Sequence, residues 1–243
     1  MYNLGLVSVS FRTHTPEEIL QAMVQNGLGC IEWGSDVHCP PAAAEKIARL
    51  QADHGVVCCS YGTYFRLGVT PVEELPGYIE AAKILGAPIL RLWCGSKNSE
   101  EYTEREREAL FCQCREAAAM AEKAGVVLCM ECHGGTFTNR KEAALELMKA
   151  VNSYAFRMYW QPNQFRTAEE NLAYASSLAP YTAHLHVFHW REKEKLPLSG
   201  AVDVWKSYLG CFRGDRHLLL EFMPDDRLES LPAEVAALKE IAG

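Results

Sequence analysis

The chain is 243 residues long, 49% of them hydrophobic, with a formal net charge of -7. That length is usual for one (β/α)8 barrel and leaves room for a substantial core. The acid excess argues against a nucleic-acid footprint, which needs a clustered basic face, and no apolar run reaches the roughly 18 residues of a membrane helix.

The first residues lead straight into Leu4-Gly5-Leu6-Val7-Ser8-Val9 without a basic stretch or cleavage site, so a cytosolic protein is expected. From there, short apolar runs alternate with helical patterns. Strands are expected at residues 4–8, 30–33, 56–61, 89–93, 126–132, 157–160, 183–188 and 218–222. Helices are expected at 16–25, 42–53, 72–85, 104–123, 141–151, 168–178, 202–209 and 228–241. Thr15-Pro16-Glu17-Glu18 and Thr70-Pro71-Val72-Glu73 each offer a threonine N-cap, a proline in the first turn and acids beside the helix dipole. Gly27, Gly55, Gly86 and Gly125 fall where helices should stop.

Eight strand–helix units with no linker or break in composition predict a single α/β domain over residues 1–243. An open dinucleotide-binding sheet would carry a glycine-rich turn after its first strand, but the chain has Ser10-Phe11-Arg12-Thr13-His14 there and no phosphate loop elsewhere. Polar residues instead gather at the ends of most strands, as in a closed TIM barrel whose loops face one site.

The ten cysteines read as reduced, small hydrophobes. Cys129 and Cys132 have redox-motif spacing, but on a strand they point to opposite faces with Cα atoms roughly 10 Å apart at ~3.3 Å per residue. A disulfide needs less than about 7 Å.

Strand five, Val126-Val127-Leu128-Cys129-Met130-Glu131-Cys132-His133-Gly134-Gly135, ends in an acid, an imidazole and a glycine pair. Alternation puts Cys129, Glu131 and His133 on one face. A carboxylate on a buried strand costs several kcal/mol unless something pairs with it. Strand eight ends the same way, in Leu218-Leu219-Leu220-Glu221, and strand seven, His184-Leu185-His186, sets His186 nearer the active end than His184, which reads as a core histidine. Oxygen donors plus one imidazole suit one hard or borderline divalent ion such as Mn²⁺, Mg²⁺, Co²⁺ or Zn²⁺. Glu32, at the end of strand two, faces the cavity as a substrate contact or pairs with Arg91. Trp33, Tyr64, Phe65, Trp93 and Trp190 read first as core packing, as aromatics at barrel strand ends usually are.

The segments Ile31-Glu32-Trp33-Gly34-Ser35-Asp36-Val37-His38, Glu131-Cys132-His133-Gly134-Gly135-Thr136-Phe137-Thr138, Tyr159-Trp160-Gln161-Pro162-Asn163 and His184-Leu185-His186-Val187-Phe188 resemble the xylose isomerase-like TIM-barrel superfamily of sugar (phosphate) isomerases and epimerases. The resemblance implies a divalent metal held by Glu131, Gln161, His186 and Glu221, with Gln161 standing where an acid is usual. It also implies substrate contacts at Gln164, where a histidine is usual, and at Arg191; His133, from its own place at the end of strand five, reads as a substrate contact or an outer donor. Glu131 and Glu221 would move a proton next to the carbonyl of a ketose or ketosugar through an enediolate. The same constellation serves epimerisation, aldose–ketose isomerisation and dehydration of a keto-polyol. A carbohydrate-binding relative without catalysis is the reading from another class, motivated by Gln161 and Gln164. The partner implied is a small carbohydrate, with no nucleic acid or membrane, and a homo-oligomer is possible. Phosphate has little to hold it: the loop after strand seven is Arg191-Glu192-Lys193-Glu194-Lys195 and that after strand eight is Met223-Pro224-Asp225-Asp226.

Overall fold

A computed structural model describes residues 2–243. In chain order the main elements are β1 (Tyr2–Val7), α1 (Pro16–Gln25), β2 (Cys30–Gly34), α2 (Ala44–Asp53), β3 (Val57–Leu67), α3 (Leu75–Leu85), β4 (Ile89–Cys94), α4 (Glu104–Ala124) and β5 (Val127–Glu131). They continue with α5 (Lys141–Val151), β6 (Phe156–Trp160), α6 (Ala168–Leu178), β7 (Thr182–Val187), β8 (His189–Arg191), β9 (Glu194–Leu196), α7 (Val202–Leu209), β10 (Arg216–Leu220) and α8 (Leu231–Ala242). Eight parallel strands close into a barrel in the order β1-β10-β7-β6-β5-β4-β3-β2, while β8 and β9 form a separate antiparallel hairpin. The chain is therefore a single (β/α)8 barrel, with β10 as its eighth staff.

The apolar side chains divide between two cores. The larger lies between barrel and helices and takes Leu128, Met130, Cys132, Leu185 and Leu218. The smaller fills the barrel itself with Val7, Cys30, Cys59, Ile89, Cys129, Tyr159 and Leu219. Cys129 and Cys132 thus sit on opposite faces of β5, and all ten cysteines are free thiols.

Local chemistry fixes the ends of the elements. Thr15 and Glu18 form a reciprocal capping box at the start of α1. Gly86 and Gly125 close α3 and α4 in the left-handed conformation, which glycine adopts without steric penalty. Thr70 does not cap α3: its hydroxyl accepts from the Arg66 amide at 3.2 Å, and the chain makes a 3-10 turn before the helix begins at Leu75. Strand β3 also runs six residues beyond the expected end at Tyr61. It leaves the β4 ladder after Gly62 and rejoins it at Arg66, and the detour is held by the Thr63 hydroxyl donating to the Arg91 carbonyl at 2.9 Å. The charged stretch after β7, which reads as a plain solvated loop, is the β8–β9 hairpin, turning through Glu192 at φ 52°.

Candidate active site

Parallel strands in register bring the polar strand ends to one layer at the barrel mouth. Glu131 pairs with Tyr159 across β5 and β6, and Leu219 with His186 across β10 and β7, so Glu221 projects just above the imidazole. Glu32, Glu131, His186 and Glu221 are all buried, and each has a charged neighbour.

Arg91, on β4, is the hub. Its Nε donates to Glu32 Oε1 at 3.0 Å and its Nη1 to Glu131 Oε2 at 2.8 Å. The Trp93 indole N–H donates to the same Glu131 oxygen, and the Trp93 ring packs against the Arg66 guanidinium and stacks with the His133 ring. Glu131 is thereby fixed through Oε2, with Oε1 turned toward His186 at 3.9 Å. Gly62 is needed for this packing: a Cβ there would fall 2.5 Å from Glu32 Oε1 and 2.6 Å from Arg91 Nη2.

His186 lies with its ring against Tyr159, centroids 4.4 Å apart. Its Nδ1 faces Gln161 Oε1 at 3.1 Å, Glu221 Oε2 at 3.3 Å and Glu131 Oε1. Its Nε2 faces Glu32 Oε1 at 3.4 Å. The Gln161 amide is oriented by its own N–H, which donates to the Cys132 carbonyl at 3.3 Å and so turns Oε1 to the imidazole.

Burial works against charge on every group in this layer, and the outcome differs from one to the next. For Glu32 and Glu131 the cost of burial is outweighed by Arg91 and then His186, so both carboxyls sit below the usual range. Burial would lower His186, but Glu221 and Glu32 raise it above an ordinary imidazole. Glu221 is left over. Burial, reinforced by the negative charge of Glu131, pushes it up to about 7 against the pull of His186 and Arg91.

The residues present fit a divalent ion. Donor atoms of Glu131, His186 and Glu221 all lie within 4.8 Å of one another. Ligands about 2.0–2.2 Å from a common ion stand roughly 3.0–3.5 Å apart, the range of the Nδ1 contacts to Gln161 and Glu221. Glu221 Oε2 is buried and accepts no hydrogen bond. Glu32, on the far side of the imidazole, is placed to take the Nε2 proton and orient the ring, as carboxylates behind metal-binding histidines do.

Above this layer opens a cavity of about 440 Å³, lined by Arg91, Trp93, Glu131, Gln161 and Glu221 below and by Tyr64, His133, Gln164, Phe165, Trp190 and Phe222 toward the rim. Tyr64, Trp93 and Trp190 therefore form its walls, whereas Trp33 and Phe65 are core residues. His133 and Gln164 reach the cavity. Glu32 does not, because it lies beneath Arg91 and is spent on Arg91 and His186. Arg191 does not either: it is exposed on β8 and lines a separate groove of about 180 Å³. Sequence reasoning missed Arg12, which reaches the cavity wall while bonded to Asp36 and Tyr64, each at 2.6 Å. It also saw Arg91 only as a partner for Glu32, although an arginine inside the apolar run Leu90-Arg91-Leu92 signals a buried anion.

Fold and site define a TIM barrel with an acid–imidazole cluster at the carboxyl ends of its strands. The chain belongs to the xylose isomerase-like TIM barrel family, whose model matches residues 20–221. No curated protein matches it in sequence. Among solved structures it is similar to a probable 3-DHS dehydratase, AsbF, from Bacillus anthracis, with 16% identity, a TM-score of 0.82 and coverage of 98% of this chain and 99% of that one. It is also similar to the IOLI protein with a bound zinc atom (14% identity, TM-score 0.75, 99% and 96% covered). An L-ribulose 3-epimerase is a third similar structure (14%, TM-score 0.69, 97% and 86%). Among the described residues no helix is long and apolar enough to cross a membrane.

Proposed function

We propose that this protein is a divalent-metal-dependent sugar isomerase or epimerase acting next to the carbonyl of an unphosphorylated ketose or ketosugar. The observation that carries the reading is the convergence of Glu131, His186 and Glu221 on one point at the floor of the cavity, with the Gln161 carbonyl beside them. These four side chains would hold the ion, which when bound supplies a Lewis acid that polarises the carbonyl and acidifies the adjacent C–H.

The protein's own groups account for the rest. Glu131, held through Oε2 by Arg91 and Trp93, keeps a fixed direction and stays anionic. Glu221, the mouth carboxyl that Arg91 does not hold, is the freer group to take a proton and give it back. With one carboxylate removing the C–H proton and the other returning one to the opposite face, the carbon is inverted; return to the neighbouring carbon gives isomerisation. Trp93, Trp190 and Phe222 offer flat apolar walls, and Gln164 and His133 offer hydrogen bonds to hydroxyls. Both cavity arginines are already paired, Arg91 with Glu32 and Glu131 and Arg12 with Asp36, which leaves neither free for a phosphate.

Elemental analysis before and after chelation and Mn²⁺ reload tests the reading. One Mn²⁺ per chain is expected, with ketose turnover that falls roughly 10²–10⁴-fold in Glu131→Gln while circular dichroism is unchanged. Failure to bind Mn²⁺ after reload, or full activity in that variant, overturns it. A keto-polyol dehydratase is the second reading, which the similarity to a probable 3-DHS dehydratase supports. Ultraviolet absorption from a new enone, rather than an isomeric sugar, would select it.

A further inference from the structure

Two residues below the mouth on β2 and β7, and four below on β10, the barrel interior holds a second cluster that the proposed reaction does not use. Cys30 on β2, Cys59 on β3 and His217 on β10 bring two thiol sulfurs and an imidazole nitrogen within 4.8 Å of one another. His184, on β7, stands beside them with its ring centroid 4.3 Å from that of His217. The strands that carry the four side chains lie in the order β7-β10-β1-β2-β3, so β1 is the only staff between them.

At this level β1 presents Gly5, which pairs with Cys30 on one side and Leu219 on the other. A Cβ on Gly5 would fall 2.5 Å from Cys30 Sγ and 2.4 Å from the Cys30 carbonyl. The missing side chain is what gives the cysteine its room.

The hydrogen bonds here leave two ring nitrogens over. His184 Nδ1 lies 2.8 Å from the Ala183 carbonyl and 3.5 Å from the His217 backbone nitrogen, so the nitrogen left over on that ring is Nε2. Nε2 is buried and has no partner, and neither does the buried Nδ1 of His217. A fully apolar interior would cost less than two imidazoles with unmatched atoms. His217 is only half-buried, unlike the two thiols.

We propose that Cys30, Cys59 and His217, with His184 as the nearest fourth donor, form a second metal site for a soft or borderline ion of the zinc class. Two thiolates and imidazole nitrogens are the donor set of tetrahedral structural zinc sites, distinct from the oxygen-rich set at the mouth. Its role is to cross-link β2, β3 and β10 at the closing end of the barrel, contributing stability and no catalysis.

Titrating the metal-free, reduced protein anaerobically with Co²⁺ tests this. Thiolate ligation gives an intense near-ultraviolet charge-transfer band that the oxygen and imidazole donors of the mouth cannot produce. The band should appear in the wild type, persist in Glu221→Gln, and vanish in Cys59→Ser; with the mouth disabled by Glu221→Gln, Zn²⁺ should raise the melting temperature, and adding Cys59→Ser should abolish that rise. Should Cys59→Ser not fold, Cys30→Ser serves the same comparison. Absence of the band in the wild type overturns the site, as does its survival in the cysteine variant or isolation of a Cys30–Cys59 disulfide as the native state. The mouth's Mn²⁺ binding is measured separately, so either site can fail without the other.

Discussion

At the barrel mouth Glu32 and Glu131 share one arginine, and His186 stands among three carboxylates; at the floor, on three of the same strands, His184, His217 and Cys30 meet no ionic partner. The two levels are built by the same alternation, Cys30 to Glu32 on β2, His184 to His186 on β7 and His217 to Glu221 on β10. An apolar layer that includes Val7, Ile89, Cys129 and Leu219 lies in the interior with them. The mouth is thus held together by charge matching, so removing one charge disturbs several others. The floor holds neutral groups, and its behaviour depends on what is added rather than on what is already paired.

The largest effect should come from breaking the matching at its hub. Arg91→Met leaves Glu32 and Glu131 buried without their cation, and loss of one partner from a buried ionic network costs about 3–5 kcal/mol. Urea unfolding should show that loss, and Glu32→Gln in the same background should recover part of it by removing one stranded charge. A loss below about 1 kcal/mol would mean that the layer is wetter and less dependent on Arg91 than the geometry implies.

Glu221 should behave in the opposite way, because it is the one mouth carboxyl that the arginine does not satisfy. In the metal-free chain burial pushes its carboxyl up from 4.5 to about 7. Between those values the folded state holds more protons than the unfolded one, so this group's contribution to stability falls as pH rises through that window and stays low above it. In chelated protein the wild type should therefore lose stability relative to Glu221→Gln between about pH 5 and pH 8, by on the order of 1 kcal/mol or more. Parallel stability curves for the two proteins would show that Glu221 is ionised and paired throughout.

How much of this was legible before folding follows from the same contrast. The barrel was readable because apolar runs alternate with helical patterns eight times, and Glu131, His186 and Glu221 stand out as polar residues at the ends of apolar strands. Gln161 and His133 came through the family resemblance and the strand-five motif. Arg91 was visible only as one half of a pair, since nothing in Leu90-Arg91-Leu92 says how many carboxylates a closed barrel will gather around one guanidinium. The length of β3 was hidden by Gly62, which interrupts the apolar pattern while the ladder resumes at Arg66. The floor cluster was read as hydrophobic cysteines and a core histidine, because the approach of β2, β3 and β10 depends on a side chain that Gly5 lacks.

The smallest effect should come from Arg191, whose substrate contact is implied by the family resemblance alone. Spacing along the chain cannot show that the segment turns back as a hairpin, with Arg191 opposite Glu194 and a left-handed residue at Glu192. The guanidinium is exposed on a groove beside the cavity and touches neither level of the barrel interior. Arg191→Ala should therefore change kcat/KM by less than about 3-fold and leave the melting temperature in place, as exposed substitutions usually do. A tenfold rise in KM at constant kcat would place Arg191 on the bound substrate and extend the working site from the mouth layer to the hairpin, about one order of magnitude in binding being the signature of a lost uniform contact.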